Sequence, residues 1–287
     1  ACETYGFIQL VNQGIRREVI QDMINTCKVF FELPFDERSK YMTKDMGCPV
    51  RYGTSFNQSK DKVFCWRDFL KLTCLPSSEV LPLWPSSPPD LRKAALKYSK
   101  ETRFLYVSLM EAILESLGVN DGQEILTKDL EEGSQILVVN CYPSCPEPDL
   151  TLGMPPHSDY GMLTLLLQDE INGLEIRYGD QWVTVEPVPG SFVVNVGDHL
   201  EIYSNGAFKS VLHRVLVNPH QSRISVASLH SLGFERMVRP AAKLIGEGKP
   251  RRYKDTDFAS FMAYHNSDEQ CKRQSFLETR RLTLDKN

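Results

Sequence analysis

The run GMPPHSDYGMLTLLLQD, residues 153–169, decides how this chain is read. It places His157 and Asp159 two apart at the mouth of an apolar, β-rich segment. Side chains at i and i+2 of a strand project from the same face, so this imidazole and carboxylate can converge on one point. Such a pair can share a metal ion. A single His-x-Asp is also an ordinary polar strand end, so a third ligand is needed to separate the two readings.

The flanking sequence sets the context. The 287 residues are 41% hydrophobic and 24% charged, an ordinary globular composition with ample material for a core. A net charge of −4 argues against a dedicated nucleic-acid or anionic-membrane surface. The expected partner is a small molecule, and the expected state is a monomer. No apolar run reaches the length of a membrane span, and ACETYGFIQLVNQGI lacks the basic start and apolar core of a secretion signal, so a cytoplasmic location is expected. The 8 cysteines are scattered without the spacing of a disulfide scaffold or zinc site and read as reduced thiols.

Residues 1–132 read as a largely helical region that supports a β-rich core. REVIQDMINTCKVFFEL carries Val19, Ile20, Met23, Ile24, Cys27, Phe30 and Phe31 at helical spacing, and Pro34 ends it. PFDERSKYM predicts a short second helix. The aromatic, turn-rich stretch from Gly47 to Pro89 predicts an irregular connection with a strand or two. From Asp90 a long amphipathic helix, with Leu91, Ala94, Ala95, Tyr98, Leu105, Leu109, Ile113 and Leu117 on one face, is expected to lie along a sheet until Gly118 stops it.

After Gly133 the texture changes to short β runs separated by turns: SQILVVNCYP, MLTLLLQD, GLEIRYGDQWVTVEPVPGSFVVNVGD, KSVLHRVLVNP and RISVASLHSL. This predicts an antiparallel barrel or jelly roll over 133–240, with a hairpin at YGD, and a helical closure over 241–287. The fold class is mixed α and β.

The third ligand comes from SVLHRVL, where His213 sits among valines and leucines and an unpaired buried imidazole would be costly. A backbone carbonyl could satisfy it, as in many cores. Joined to His157 and Asp159, it would instead make a two-His, one-carboxylate face, which leaves three positions open on an octahedral metal and favours Fe(II). In RIS, Arg223 and Ser225 again share a strand face, and a guanidinium fork beside a hydroxyl suits bidentate capture of a carboxylate.

His157, Asp159, His213, Arg223 and Ser225, in that order and spacing, resemble the plant-type 2-oxoglutarate- and Fe(II)-dependent dioxygenases. The likeness extends to VVNCYPSCPEPDLTLGMPPHSD and WVTVEPVPGSFVVNVGDHLEIYSNGAFKSVLHRVLVN. The resemblance implies a double-stranded β-helix core, Fe(II) held by the catalytic residues His157, Asp159 and His213, and 2-oxoglutarate held by Arg223 and Ser225 with Tyr142 and Asn140 nearby. It implies O2 as oxidant, ascorbate as an accessory reductant, and succinate and CO2 as coproducts. The substrate implied is an aromatic plant specialised metabolite such as a flavonoid, coumarin, alkaloid or lignan, which would be hydroxylated, desaturated or closed into a ring.

Its pocket is expected among Tyr52, Phe56, Phe64 and Trp66, at Leu229, His230 and Ser231, and on the C-terminal helices, although each such residue could equally be core. The sequence departs from the family pattern in three places. The chain begins too late to contain the strand that usually precedes GFIQLVN, so either the N-terminus is truncated or that strand is absent; Gln13 replaces the histidine of VNHGI, and Cys141 replaces the first tyrosine of NYYP. Two alternatives share the fold: an ascorbate-dependent oxidase that uses no 2-oxoglutarate, and an idle member that only binds a ligand.

Overall fold

The chain opens with β1 (Phe7–Leu10), α1 (Arg17–Glu32), α2 (Phe35–Ser39), β2 (Val50–Gly53), β3 (Asp68–Thr73), α3 (Ser77–Val80), the long α4 (Leu91–Ser116) and α5 (Thr127–Glu131). Then come β4 (Ser134–Tyr142), β5 (Met154–His157), β6 (Leu163–Gln168), β7 (Leu174–Tyr178), β8 (Gln181–Thr184) and β9 (Phe192–Val196). Helix α6 (Asp198–Tyr203), β10 (His213–Val215), β11 (Arg223–Ser231), α7 (Phe258–Asn266) and α8 (Phe276–Arg280) complete the order. This computed structural model describes residues 1–54, 65–119, 125, 127–266 and 275–283.

The strands form two antiparallel sheets, the two layers of a jelly roll. The larger runs β1-β9-β6-β11-β4-β3-β2 and the smaller β5-β10-β7-β8. Strands from the first 132 residues complete both edges of the larger sheet: β1 pairs with β9, and β3 with β4. Four residues of alternation, as in FIQL, are too short to announce a strand, so the N-terminal region is less purely helical than its sequence predicts.

The larger sheet has two chemically distinct faces. Leu70, Leu72, Leu137, Val139, Leu165 and Val226 belong to a buried cluster that also contains Val19, Met23 and Phe30 of α1 and Ala95, Tyr98, Tyr106 and Met110 of α4. Each fully buried Val, Leu, Met or Phe among them contributes about 1.5–3 kcal/mol by leaving water. The buried stripe of α4 continues through Tyr106, Met110 and Leu114, leaving Leu105, Leu109 and Ile113 only partly buried, one position round from the expected stripe. Gly118 adopts φ +67°, the left-handed conformation that ends the helix at little cost. The residues that alternate with the core set line the interior of the roll, and Asn140, Arg223 and Ser225 are among them.

The predicted hairpin joins β7 to β8 through Gly179 and Asp180, with Tyr178 opposite Gln181 and Gly179 at φ +58°. Helix α6 falls between two predicted β runs. HLEIY alternates like a strand, yet Asp198–Tyr203 is helical with every residue buried. Among the described residues no disulfide bond joins two cysteines. Among the described residues no helix is long and apolar enough to cross a membrane.

Candidate active site

His157 closes β5 and His213 opens β10, and these two strands pair with the histidines directly opposite each other. Their rings lie 4.2 Å apart at 52°. Asp159, two residues beyond His157, brings Oδ1 to 3.8 Å from His157 Nε2 and 3.7 Å from His213 Nε2. The three ligating atoms lie within 4.8 Å of one another, which fits a shared metal ion.

Each group is turned by what lies behind it. His157 Nδ1 is 2.8 Å from the Pro155 carbonyl and His213 Nδ1 is 3.3 Å from that of Val211. A carbonyl only accepts, so the ring hydrogen belongs on Nδ1 and each Nε2 presents its lone pair toward Asp159. Asn195 Nδ2, on β9, donates to Asp159 Oδ2 at 2.7 Å, which leaves Oδ1 for a metal. Burial, with His213 alongside, pushes the His157 pKa down to about 3. Burial alone would raise Asp159, but His213, His157 and the Asn195 hydrogen bond outweigh it and hold the carboxyl below its usual range. Neutral imidazole and ionised carboxylate are the forms that bind a metal, and two nitrogens with one oxygen on a single face suit Fe(II).

A second polar group lies on the interior face of the larger sheet, the layer opposite the smaller sheet that carries His157 and His213. In register, Arg223 faces Tyr142, and Ser225 faces both Asn140 and Gln168. Arg223 is 2% exposed. Its Nε donates to the Ile171 carbonyl at 3.1 Å, its Nη2 donates to Gln168 Oε1 at 2.8 Å, and its guanidinium carbon stands 5.2 Å from the Tyr142 ring centroid. Nη1 is buried and has no partner. Asp169, whose carboxyl feels the Arg223 charge, spends its oxygens on the backbone: it accepts from the Ile224 N–H at 2.6 Å and the Ile171 N–H at 3.2 Å, and burial raises its pKa. A buried guanidinium without a carboxylate is expensive unless a ligand supplies one, and this orphaned donor fits the distal carboxylate of 2-oxoglutarate. Asn140, beside Ser225, accepts from Arg67 Nη1 at 3.1 Å.

The expected pocket residues separate into groups. Leu229 is half-buried and stands in register with Thr164 of β6, on the same strand face as Arg223 and Ser225. Ser231 is buried with its hydroxyl 2.8 Å from His199 Nδ1. Two residues require correction. His230 lies on the helix-facing side, where its ring stacks on Tyr106 of α4 at 4.5 Å and 13°, because strand alternation turns it away from Arg223. Tyr52 also faces the helices: its ring is 6.2 Å from that of Phe30, and its hydroxyl donates to Asp68 at 2.7 Å. Trp66 is 41% exposed and donates from its indole to the Pro143 carbonyl at 3.1 Å. Phe56 and Phe64 lie outside the described residues. The C-terminal closure reaches the site's edge, with Phe258 and Phe261 of α7 at 5.4 and 4.6 Å from the ring of Tyr160, the neighbour of Asp159.

Three supporting residues escaped the sequence reading. Asn195 left a signal, since a polar residue in the middle of FVVNV needs a buried partner. Gln168 ends LTLLLQ and looks there like an ordinary strand end. Phe7, whose ring meets His213 edge-on at 5.4 Å, gave no signal at all, because a contact across 206 residues leaves no local pattern.

Comparison with known proteins agrees with this geometry. Residues 133–231 match the family model of the 2OG-Fe(II) oxygenase superfamily, and residues 1–90 match that of the non-haem dioxygenase in morphine synthesis N-terminal region. Flavanone 3-dioxygenase 3 of Oryza sativa subsp. japonica is 39% identical over 284 residues, covering 98% of this chain and 85% of that protein. Protein DOWNY MILDEW RESISTANCE 6 of Arabidopsis thaliana is 40% identical over 266 residues, covering 91% and 77%. Among solved structures, JOX2 in complex with 2OG, Fe and JA superposes with a TM-score of 0.90 at 30% identity, covering 99% of this chain and 84% of that one.

Proposed function

This chain belongs to the 2OG-Fe(II) oxygenase superfamily and is a 2-oxoglutarate-dependent dioxygenase, and we propose that it oxidises a C–H bond of a small aromatic plant metabolite. Hydroxylation, desaturation and oxidative ring closure are the three outcomes open to it. His157, Asp159 and His213 would hold Fe(II), and Arg223 with Ser225 would hold 2-oxoglutarate, with Tyr142 and Asn140 beside it. The observation that carries this reading is the pair of polar groups that the two sheets bring to the interior of the roll: a metal-ready triad on the smaller sheet, and on the larger a buried guanidinium whose Nη1 has no partner.

When bound, the iron and cosubstrate would activate O2, the oxidant, with 2-oxoglutarate giving up two electrons and ending as succinate and CO2. The chain's own part is placement. Carbonyls 155 and 211 hold both ring hydrogens on Nδ1. Asn195 fixes one oxygen of Asp159 and leaves the other available. Arg223, anchored by Ile171 and Gln168, presents a fixed positive charge to one end of a dicarboxylate. Leu229 would form a wall of the substrate space. The C-terminal aromatics against Tyr160 would help exclude water from it.

The aromatic class is supported by relatives named for flavanone oxidation. The test is to incubate the Fe(II)-loaded chain with flavonoids, coumarins, alkaloids and lignans, with 2-oxoglutarate present in one arm and only ascorbate in another. Succinate formed in step with an oxidised aromatic product, only in the first arm, is expected. Product in the ascorbate arm alone would assign the chain to the other oxidase chemistry.

A further inference from the structure

Gln168 sets the charge of the cosubstrate pocket, an inference that rests on the reading of Arg223 as the seat of the distal carboxylate. Its Oε1 accepts from Arg223 Nη2 at 2.8 Å. A guanidinium has only donors, so the amide orientation follows from chemistry: the oxygen faces Arg223, and Nε2 is the other end of the group. Two donors on this bonded pair, Arg223 Nη1 and Gln168 Nε2, are both buried and without a partner.

A buried arginine is usually matched by a carboxylate. Glutamate has the same shape as glutamine and at 168 would make that match, closing the pocket from within. Asp169, the next residue, is turned away onto the backbone N–H groups of Ile224 and Ile171. The amide therefore holds the guanidinium in place without adding a negative charge, and no carboxylate is hydrogen-bonded to it. We infer that Gln168 is a positioning residue for the cosubstrate: it keeps Arg223 aimed and positive, and its own Nε2–H is a second donor to the distal carboxylate of 2-oxoglutarate.

The test compares Gln168→Glu and Gln168→Leu in the full chain, titrating 2-oxoglutarate calorimetrically into Fe(II)-loaded protein without oxygen. Gln168→Leu, which loses one anchor but adds no charge, is expected to weaken binding roughly ten-fold. Gln168→Glu is expected to weaken it roughly a hundred-fold, because the new carboxylate occupies Arg223 and repels the incoming one. The order is decisive. A residue that merely filled space or offered Arg223 an acceptor would tolerate glutamate best, so near-normal binding by Gln168→Glu overturns the inference.

Melting of the unliganded variants supplies a readout independent of binding. Gln168→Glu should melt no lower than wild type, since its carboxylate pairs with Arg223, and should gain little when 2-oxoglutarate is added. A melting point well below wild type would contradict that pairing and overturn the inference. Wild-type protein that fails to bind 2-oxoglutarate would sink the functional reading itself, whatever the variants do.

Discussion

The ring of Phe7 stands edge-on to the ring of His213, with centroids 5.4 Å apart and planes at 71°. Phe7 lies on β1, directly opposite Asn195 of β9, so one strand pair supports two members of the triad: Phe7 packs against His213, and Asn195 bonds Asp159. The N-terminal strand is thus part of the metal site's support as well as an edge of the sheet.

Phe7→Ala removes a buried ring and should cost about 3 kcal/mol of stability, read by urea unfolding. It should also weaken Fe(II) binding, because His213 loses the surface that fixes its ring. Phe7→Leu should recover most of the stability. If Fe(II) affinity stays at the wild-type level in Phe7→Ala, the contact supports the fold alone.

Asn195→Leu leaves Asp159 Oδ2 without its donor and lets the carboxylate turn. A loss of roughly 10- to 100-fold in Fe(II) affinity is expected, the usual effect of removing a group that orients a ligand. Metal titration followed by calorimetry checks it. Undiminished affinity would mean that Asp159 is oriented by the backbone without help.

Leu229→Phe should fill space on the interior face while leaving Arg223 and Ser225 untouched. The expected result is a changed substrate or product profile, with 2-oxoglutarate still consumed. Product analysis by mass spectrometry beside a succinate assay separates the two effects. An unchanged profile would return Leu229 to the core.

Lys71 offers a pH-dependent test away from the metal. Its ammonium donates to the carbonyls of Met46 at 2.6 Å and Cys48 at 3.1 Å, and burial, with Arg51 nearby, pushes its pKa down to about 8. The folded state gives up this proton more readily than the unfolded chain, which therefore binds more protons between about 8 and the ordinary lysine value near 10.4. The contribution of Lys71 to stability consequently rises with pH across that window. Urea unfolding at pH 7.5 and pH 9.5 should show wild type gaining on Lys71→Met; a constant gap would mean that the lysine titrates normally.

Whether a residue's role could be read from the sequence depended on the range of its contacts. Arg223 and Ser225 were legible because the two-residue period of a strand acts locally, and His157 and Asp159 because they stand two apart in the chain, although β5 ends at His157. His213 was found by its apolar surroundings, although its strand is only three residues long. The same alternation puts His230 and Tyr52 on the helix-facing side of the sheet, so grouping them with the pocket by sequence proximity misplaced them. Phe7, Asn195 and Gln168 act through pairings between distant strands, which no local period encodes. Helix α6 was hidden because total burial removes the polar face by which a surface helix is recognised.

If the triad and Arg223 form one site, the metal and 2-oxoglutarate bind with positive coupling. That coupling is read from 2-oxoglutarate affinity without oxygen, with and without Fe(II), in wild type, Asp159→Ala and Arg223→Met. Fe(II) should strengthen binding at least about ten-fold in wild type, a coupling of about 1.4 kcal/mol. Asp159→Ala should lose that enhancement, whereas Arg223→Met should bind roughly ten- to a hundred-fold more weakly while still taking up Fe(II). Equal wild-type affinity with and without the metal, or an enhancement that survives in Asp159→Ala, would contradict a single shared site.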